Sequence, residues 1–246
     1  MIEKLANKYI IKFSKREYLE DIKNGKLYFK EAQYFKNIDS ESENEDKSKD
    51  NHEGTIRVDT KSIPKFENIL DLIIQEDTEI NLVNKSNKKT PLFCCSIINE
   101  DNIIQKAINS FKFKDEYIDE MSQWGNEFIV ISLEELIFKL EKKCNELGIF
   151  CYYDNVKYDQ DERVLTYEEG TYKLINEKFL EFFHKNKKFK LQNEFRIILF
   201  NEENKLISNN TDHYILEIGK LQSAKIIQGK DLKSIIMEFN NHFINV

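Results

Sequence analysis

"KFKLQNEFRIILF", Lys188–Phe200, begins basic, turns polar and ends as an apolar run. Along a β-strand, residues two apart share a face. Phe195, Ile197 and Leu199 therefore make one wholly apolar face, which belongs in a core. Gln192, Glu194, Arg196, Ile198 and Phe200 make the other, polar at its entry and apolar beyond. Two arrangements fit this order. Glu194 pairs with Arg196 at a half-exposed rim, an ion pair of about 0–1 kcal/mol, or the strand enters the sheet at the floor of a cleft with Gln192 and Glu194 directed at a ligand.

Outward from this strand, "HYILEIG" (213–219) and "AKIIQG" (224–229) read as further strands. "KDLKSIIMEFNNHFI" (230–244) reads as a closing helix with Leu232, Ile235, Ile236 and Phe239 inward. Upstream, "KLINEKFLEFFHKN" (173–186) is an amphipathic helix and "IFCYYDNVKYD" (149–159) a strand. The clearest helix is Ser132–Gly148. Ser132 and Glu135 form a capping box, and Leu133, Leu136, Ile137, Leu140, Cys144 and Leu147 recur at helical spacing before Gly148. "WGNEFIVIS" (124–132) and "PLFCCSI" (91–97) are buried strands, and "NEDNIIQKAINSF" (99–111) and "ENILDLIIQED" (67–77) are helices. "GTIRVDT" (54–60) is a strand. The first residues read strand, helix, strand: "NKYIIKF", then "SKREYLEDIKNG" capped by Ser14 with Glu17 and closed by Gly25, then "LYF". Helices and strands mix without strict alternation. The expected fold is α+β, a single mixed and mainly antiparallel sheet with flanking helices. One domain over 1–246 is expected, with the region around 39–90 as an insertion.

The charge is concentrated. The chain carries a net −7, and "DSESENEDKSKDNHE", Asp39–Glu53, holds seven acids against two lysines. With almost no apolar residue to bury, this stretch is expected to be a mobile loop and a candidate partner contact. It lacks the glycine and terminal glutamate spacing of an EF-hand. The acidic balance argues against a protein that coats nucleic acid. One local exception is "HKNKKFK" (184–190), a basic patch with an interleaved Phe, which keeps a nucleic-acid-directed enzyme among the alternatives.

Cys94, Cys95, Cys144 and Cys151 form no C-x-x-C motif and read as free cytosolic thiols. No signal peptide or apolar run of membrane-spanning length occurs, so a cytoplasmic protein with no membrane partner is expected. Glycine-rich phosphate loops, H-E-x-x-H and G-x-S-x-G are absent, and the four histidines have no ligand spacing, so no metal is expected.

Gln-x-Glu entering a strand resembles the catalytic turn of ADP-ribosyltransferases, including the clostridial Rho-modifying exoenzymes. More broadly, the chain resembles a bacterial and phage domain-of-unknown-function family whose members carry a late "E-[FY]-R" strand. "LYFKEAQYFKNI", "FCCSIINED", "QWGNEFIVIS", "VKYD", "NKKFKLQNEFRIILF" and "LEIGKLQSAKIIQG" fall in that family's order. The family's usual "FND" is Phe35-Lys36-Asn37 here, followed by the acidic run. The resemblance implies an ADP-ribosyltransferase-like fold, NAD as substrate, and a role in toxin or phage-defence systems. Carried onto these residues, Glu194 stabilises an oxocarbenium-like centre and Gln192 orients the acceptor. Lys12 or Arg196 holds phosphate, Tyr28 packs on nicotinamide, and Ser96 stands on the second site strand. The alternative is a non-catalytic partner- or nucleotide-binding protein of the same fold, acting in phage–host conflict.

Overall fold

Apolar side chains draw strands from distant parts of the chain into one main sheet. The computed structural model describes residues 9–37, 56–59, 79–82, 89–107, 110–158, 182–185, 187–202, 206–208, 210–229, 231–240 and 243–245. In chain order the elements are β1 (Tyr9–Ser14), α1 (Arg16–Lys23), β2 (Lys26–Glu31), α2 (Ala32–Asn37), β3 (Ile56–Asp59), β4 (Glu79–Leu82), β5 (Pro91–Ile97), β6 (Ile103–Ala107), β7 (Ser110–Phe113), α3 (Asp115–Met121), β8 (Glu127–Ser132), α4 (Leu133–Leu147), β9 (Phe150–Asn155), β10 (Glu194–Phe200), β11 (His213–Glu217), β12 (Lys225–Gln228), β13 (Met237–Asn240) and β14 (Phe243–Asn245). The fold is α+β and mainly antiparallel, as the pattern predicts.

The main sheet has eight strands. Six run β11-β2-β5-β1-β8-β12, while β10 pairs with β5 and β9. β5 is the branch point. One of its edges lies along β10, from Glu194↔Ser96 to Ile198↔Leu92. The other is shared by β2 at Leu92 and β1 at Ser96 and Ile97. A four-stranded sheet β14-β13-β7-β6 and the pair β3-β4 complete the described strands.

One face of the main sheet is covered by helices. Leu19 and Ile22 of α1 and Leu136, Leu140 and Cys144 of α4 pack on Ile10, Phe93, Ile129 and Phe195. Ser132 caps α4 by accepting from the Glu135 N–H at 3.4 Å, and Gly148 ends it in the left-handed region at φ 66°. The capping box is only half formed, because the Glu135 carboxylate instead accepts from the Gln222 and Ser223 N–H groups at 2.8 Å each. Leu147, expected inward, is 49% exposed. Gly25, at φ 84°, meets the β11 side so closely that a Cβ there would stand 2.0 Å from the Gly219 carbonyl oxygen. Only glycine fits both the dihedral and the contact.

The opposite face carries two apolar clusters. The first joins Ile11, Phe13 and Phe128 to Tyr117 of α3 and to Phe111, Phe113 and Met237. The second joins Leu92 and Ile198 to Phe182 and Phe183.

Two expected helices are strands. The segment 99–111 folds as the β6–β7 hairpin. Asn102 donates through Nδ2 to the Ile97 carbonyl at 2.7 Å, and Asn99 accepts from the Asp101 N–H at 2.9 Å, so local Asn bonds build a turn where a helix would begin. The closing helix at 230–244 is replaced by a single 3₁₀ turn, Leu232–Ser234, followed by β13 and β14. Asp231 caps only that turn, and β13 finds an open partner in β7. Ile236, expected inward, is 49% exposed. The capping role expected of Ser14 is not taken up either: Ser14 ends β1, and Lys15 precedes α1 without a side-chain cap. Helix 67–77, most of helix 173–186 and the acidic run 39–53 lie outside the described residues. Among the described residues no helix is long and apolar enough to cross a membrane.

Candidate functional site

The chain reaches β10 through a 3₁₀ turn at Lys187–Gln192 and then Asn193, whose φ of 47° is left-handed. Asn tolerates that region, and its Nδ2 donates to the Ile97 carbonyl at 3.2 Å. The kink brings Gln192 and Glu194 into contact with one lysine. Lys185 Nζ donates to Gln192 Oε1 at 2.9 Å and to Glu194 Oε1 at 2.6 Å. Arg196, two residues along the same face, donates through Nε to Glu194 Oε2 at 2.7 Å and through a terminal nitrogen to the Phe182 carbonyl at 2.6 Å.

The group extends on both sides. Gln192 Nε2 donates to Glu120 Oε1 of α3 at 3.0 Å. Ser96, cross-strand from Glu194, donates from Oγ to the Gln192 carbonyl at 2.6 Å. The Glu194 N–H donates to the Tyr158 hydroxyl at 2.8 Å. Ser96, Gln192, Glu194, Lys185 and Arg196 are all buried, Arg196 to 1% exposure. The site is a polar seam lying between the two apolar clusters of this face.

Its electrostatics follow from the geometry. Burial pushes the Glu194 carboxyl up, but Arg196 and Lys185 outweigh it and bring the value down to about 2. Burial also pushes the Tyr158 phenol up, with the Glu194 charge adding to the effect. Glu194 is thus firmly ionised, with a cation on each oxygen.

Four of the expected site residues, Ser96, Gln192, Glu194 and Arg196, come together. The rim arrangement in which Glu194 meets Arg196 half-exposed is not what forms, because the pair is buried. Lys12 stands elsewhere. Ile11 is cross-strand from Ser96, so Lys12 projects to the opposite face. There Nζ donates to the Cys94 carbonyl at 2.6 Å and lies 4.8 Å from the Phe93 ring centre. Tyr28 is separated from β10 by β5, roughly 10 Å across the sheet. It is 42% exposed and stacks on His213 at 4.5 Å.

The sequence reading missed Lys185, Tyr158 and Glu120. Lys185 sat inside the basic stretch 184–190 with nothing to set it apart; the structure buries it and leaves Lys187, Lys188 and Lys190 exposed. Among the described residues no group of three or more His, Cys, Asp or Glu is placed to hold a metal. Scans of family models, curated proteins and solved structures each returned no match for this chain.

Proposed function

We propose that the chain acts by binding rather than by turnover, as a partner- or nucleotide-binding protein on an ADP-ribosyltransferase-like scaffold in phage–host conflict. One observation carries this reading: both oxygens of Glu194 are held by cations, at 2.6 and 2.7 Å. Stabilising an oxocarbenium-like centre requires an anion whose field reaches the reacting carbon. Beside Lys185 and Arg196, Glu194 offers little net negative potential. Its work is mechanical: it ties β10 to segment 182–185, while Gln192 ties the same group to α3 through Glu120.

The test is incubation of the purified protein with NAD. Calorimetry measures uptake, and chromatography follows nicotinamide. The binding reading expects no nicotinamide release at any enzyme concentration. Release by the wild type, abolished in Glu194→Gln with the circular dichroism spectrum retained, would overturn it.

A second reading, NAD-dependent ADP-ribosyl transfer or NAD glycohydrolysis, is favoured by the convergence of Ser96, Gln192 and Glu194. A buried ionic group can often be exchanged for apolar residues without loss of stability. An ionic seam between two apolar clusters therefore points to a purpose beyond packing. On this reading Lys185 leaves Glu194 when substrate binds, Glu194 faces the ribosyl cation and Gln192 aims the acceptor. The same nicotinamide assay separates the two.

A further inference from the structure

Cys144 and Cys151 flank the turn between α4 and β9. Gly148, left-handed, lets the helix reverse directly into the strand, and the Ile149 N–H donates to the Cys144 carbonyl at 2.9 Å. Farther from the turn, the Tyr153 hydroxyl donates to Glu141 Oε1 at 2.8 Å, fixing how strand and helix face each other. Cys151 lies two residues nearer the turn than Tyr153, on the same strand face. Cys144 lies three residues nearer than Glu141, on the neighbouring helix position. The two side chains therefore occupy facing positions of helix and strand, Cys151 packed against the apolar cluster that contains Cys144.

Their surroundings differ. Cys144 is 1% exposed in the apolar core, whereas Cys151 is half-buried at its margin. The more accessible sulfur, Cys151, is therefore the one that a small oxidant reaches first. Cys95, by contrast, is buried and pushed up, and it projects away from its neighbour Cys94 along the strand.

We propose that Cys144 and Cys151 form an oxidative modification site that closes to a disulfide under hydrogen peroxide. The Cys151 thiolate attacks one peroxide oxygen. The O–O bond breaks, hydroxide leaves and takes a proton to become water, and Cys151 becomes a sulfenic acid. The Cys144 sulfur then attacks the Cys151 sulfur. The S–O bond breaks, the hydroxyl leaves as water with the Cys144 proton, and the S–S bond forms. Two thiols lose two electrons in all, and one peroxide is reduced to two waters. The bond ties the last turn of α4 to β9, where Cys151 is cross-strand from Leu199 of β10.

The experiment treats the folded full-length chain with hydrogen peroxide, alkylates remaining thiols under denaturing conditions and maps peptides by mass spectrometry. The expected product joins the Cys144 and Cys151 peptides, is lighter by two hydrogens, leaves Cys94 and Cys95 alkylated, and reverts with dithiothreitol. In Cys144→Ser, dimedone should trap a sulfenic acid at Cys151. Four alkylated cysteines after peroxide, or Cys151 oxidised to sulfinic acid while Cys144 remains alkylatable in the wild type, would overturn the proposal.

Discussion

Two carboxylates in this protein each lie between two basic groups, and their settings could hardly differ more. Glu194 is held by Lys185 and Arg196 in the buried seam. Asp212 is held by Lys30 at 2.5 Å and by His213 at 2.8 Å, with its side chain 53% exposed. Both carboxyls are brought down to about 2, Glu194 against the opposing push of burial and Asp212 by hydrogen bonds from Lys30 and His213. A shared end point does not mean equal consequence. Around Asp212, water and salt can replace either partner. Glu194 is buried, so removing its charge leaves two buried cations without the anion they share.

The largest effect expected from this contrast is that of Glu194→Gln. It leaves Lys185 and Arg196 facing each other in a buried seam, with an expected loss on the order of 3–5 kcal/mol. The thermal midpoint should fall by about 10 °C for a chain of this size. Urea unfolding measures the loss directly, and a change below about 1 kcal/mol would erase the contrast. Replacing all three ions together, as Lys185→Met, Glu194→Leu and Arg196→Met, should recover most of the loss, because no buried charge is then left alone. If the triple variant is worse than the single one, the seam contributes more than charge balance.

Next comes the acid limb. Glu194 is depressed in the folded chain, to about 2, and ionises near 4.3 when unfolded. A depressed carboxyl adds stability above the unfolded value, and that stability is lost as pH falls towards the folded one. Between about pH 4.3 and 2, wild-type stability should drop by on the order of 3 kcal/mol from this group. Glu194→Gln should flatten that part of the curve. A wild-type and variant pair with parallel acid limbs would show that Glu194 is not the group responsible.

The same contrast explains what the sequence could reveal. Loose alternation in β1, the compact apolar run of β5, the β-branched run of β8 and the apolar end of β10 placed these strands correctly because each buries its side chains along most of its length. The α4 helix was legible from its cap, its apolar stripe and its closing glycine. The 99–111 and 230–244 segments misled because apolar residues at helical spacing can equally face a sheet partner, and local Asn bonds or a short cap decide between them. At the site, Gln192, Glu194 and Arg196 were legible because they are neighbours on one strand. Lys185 was not, since burial of one lysine among several depends on a tertiary contact. Lys12 was misplaced because its facing follows from the register of β1 on β5, which no local pattern encodes.

The smallest effect expected is that of Asp212→Asn. Lys30 keeps its place without Asp212, because its ammonium lies 4.3 Å from the Tyr34 ring centre and 5.7 Å from that of Tyr28. His213 likewise remains stacked on Tyr28. The melting midpoint at neutral pH should stay within the scatter of the wild type, and adding salt should move both proteins alike, since the pair is already screened. A clear destabilisation would mean that Tyr28, Lys30 and His213 form one cooperative surface rather than a set of separate contacts. The edge of the sheet at β2 and β11 would then be the better place to look for a bound ring or partner than the seam at Glu194.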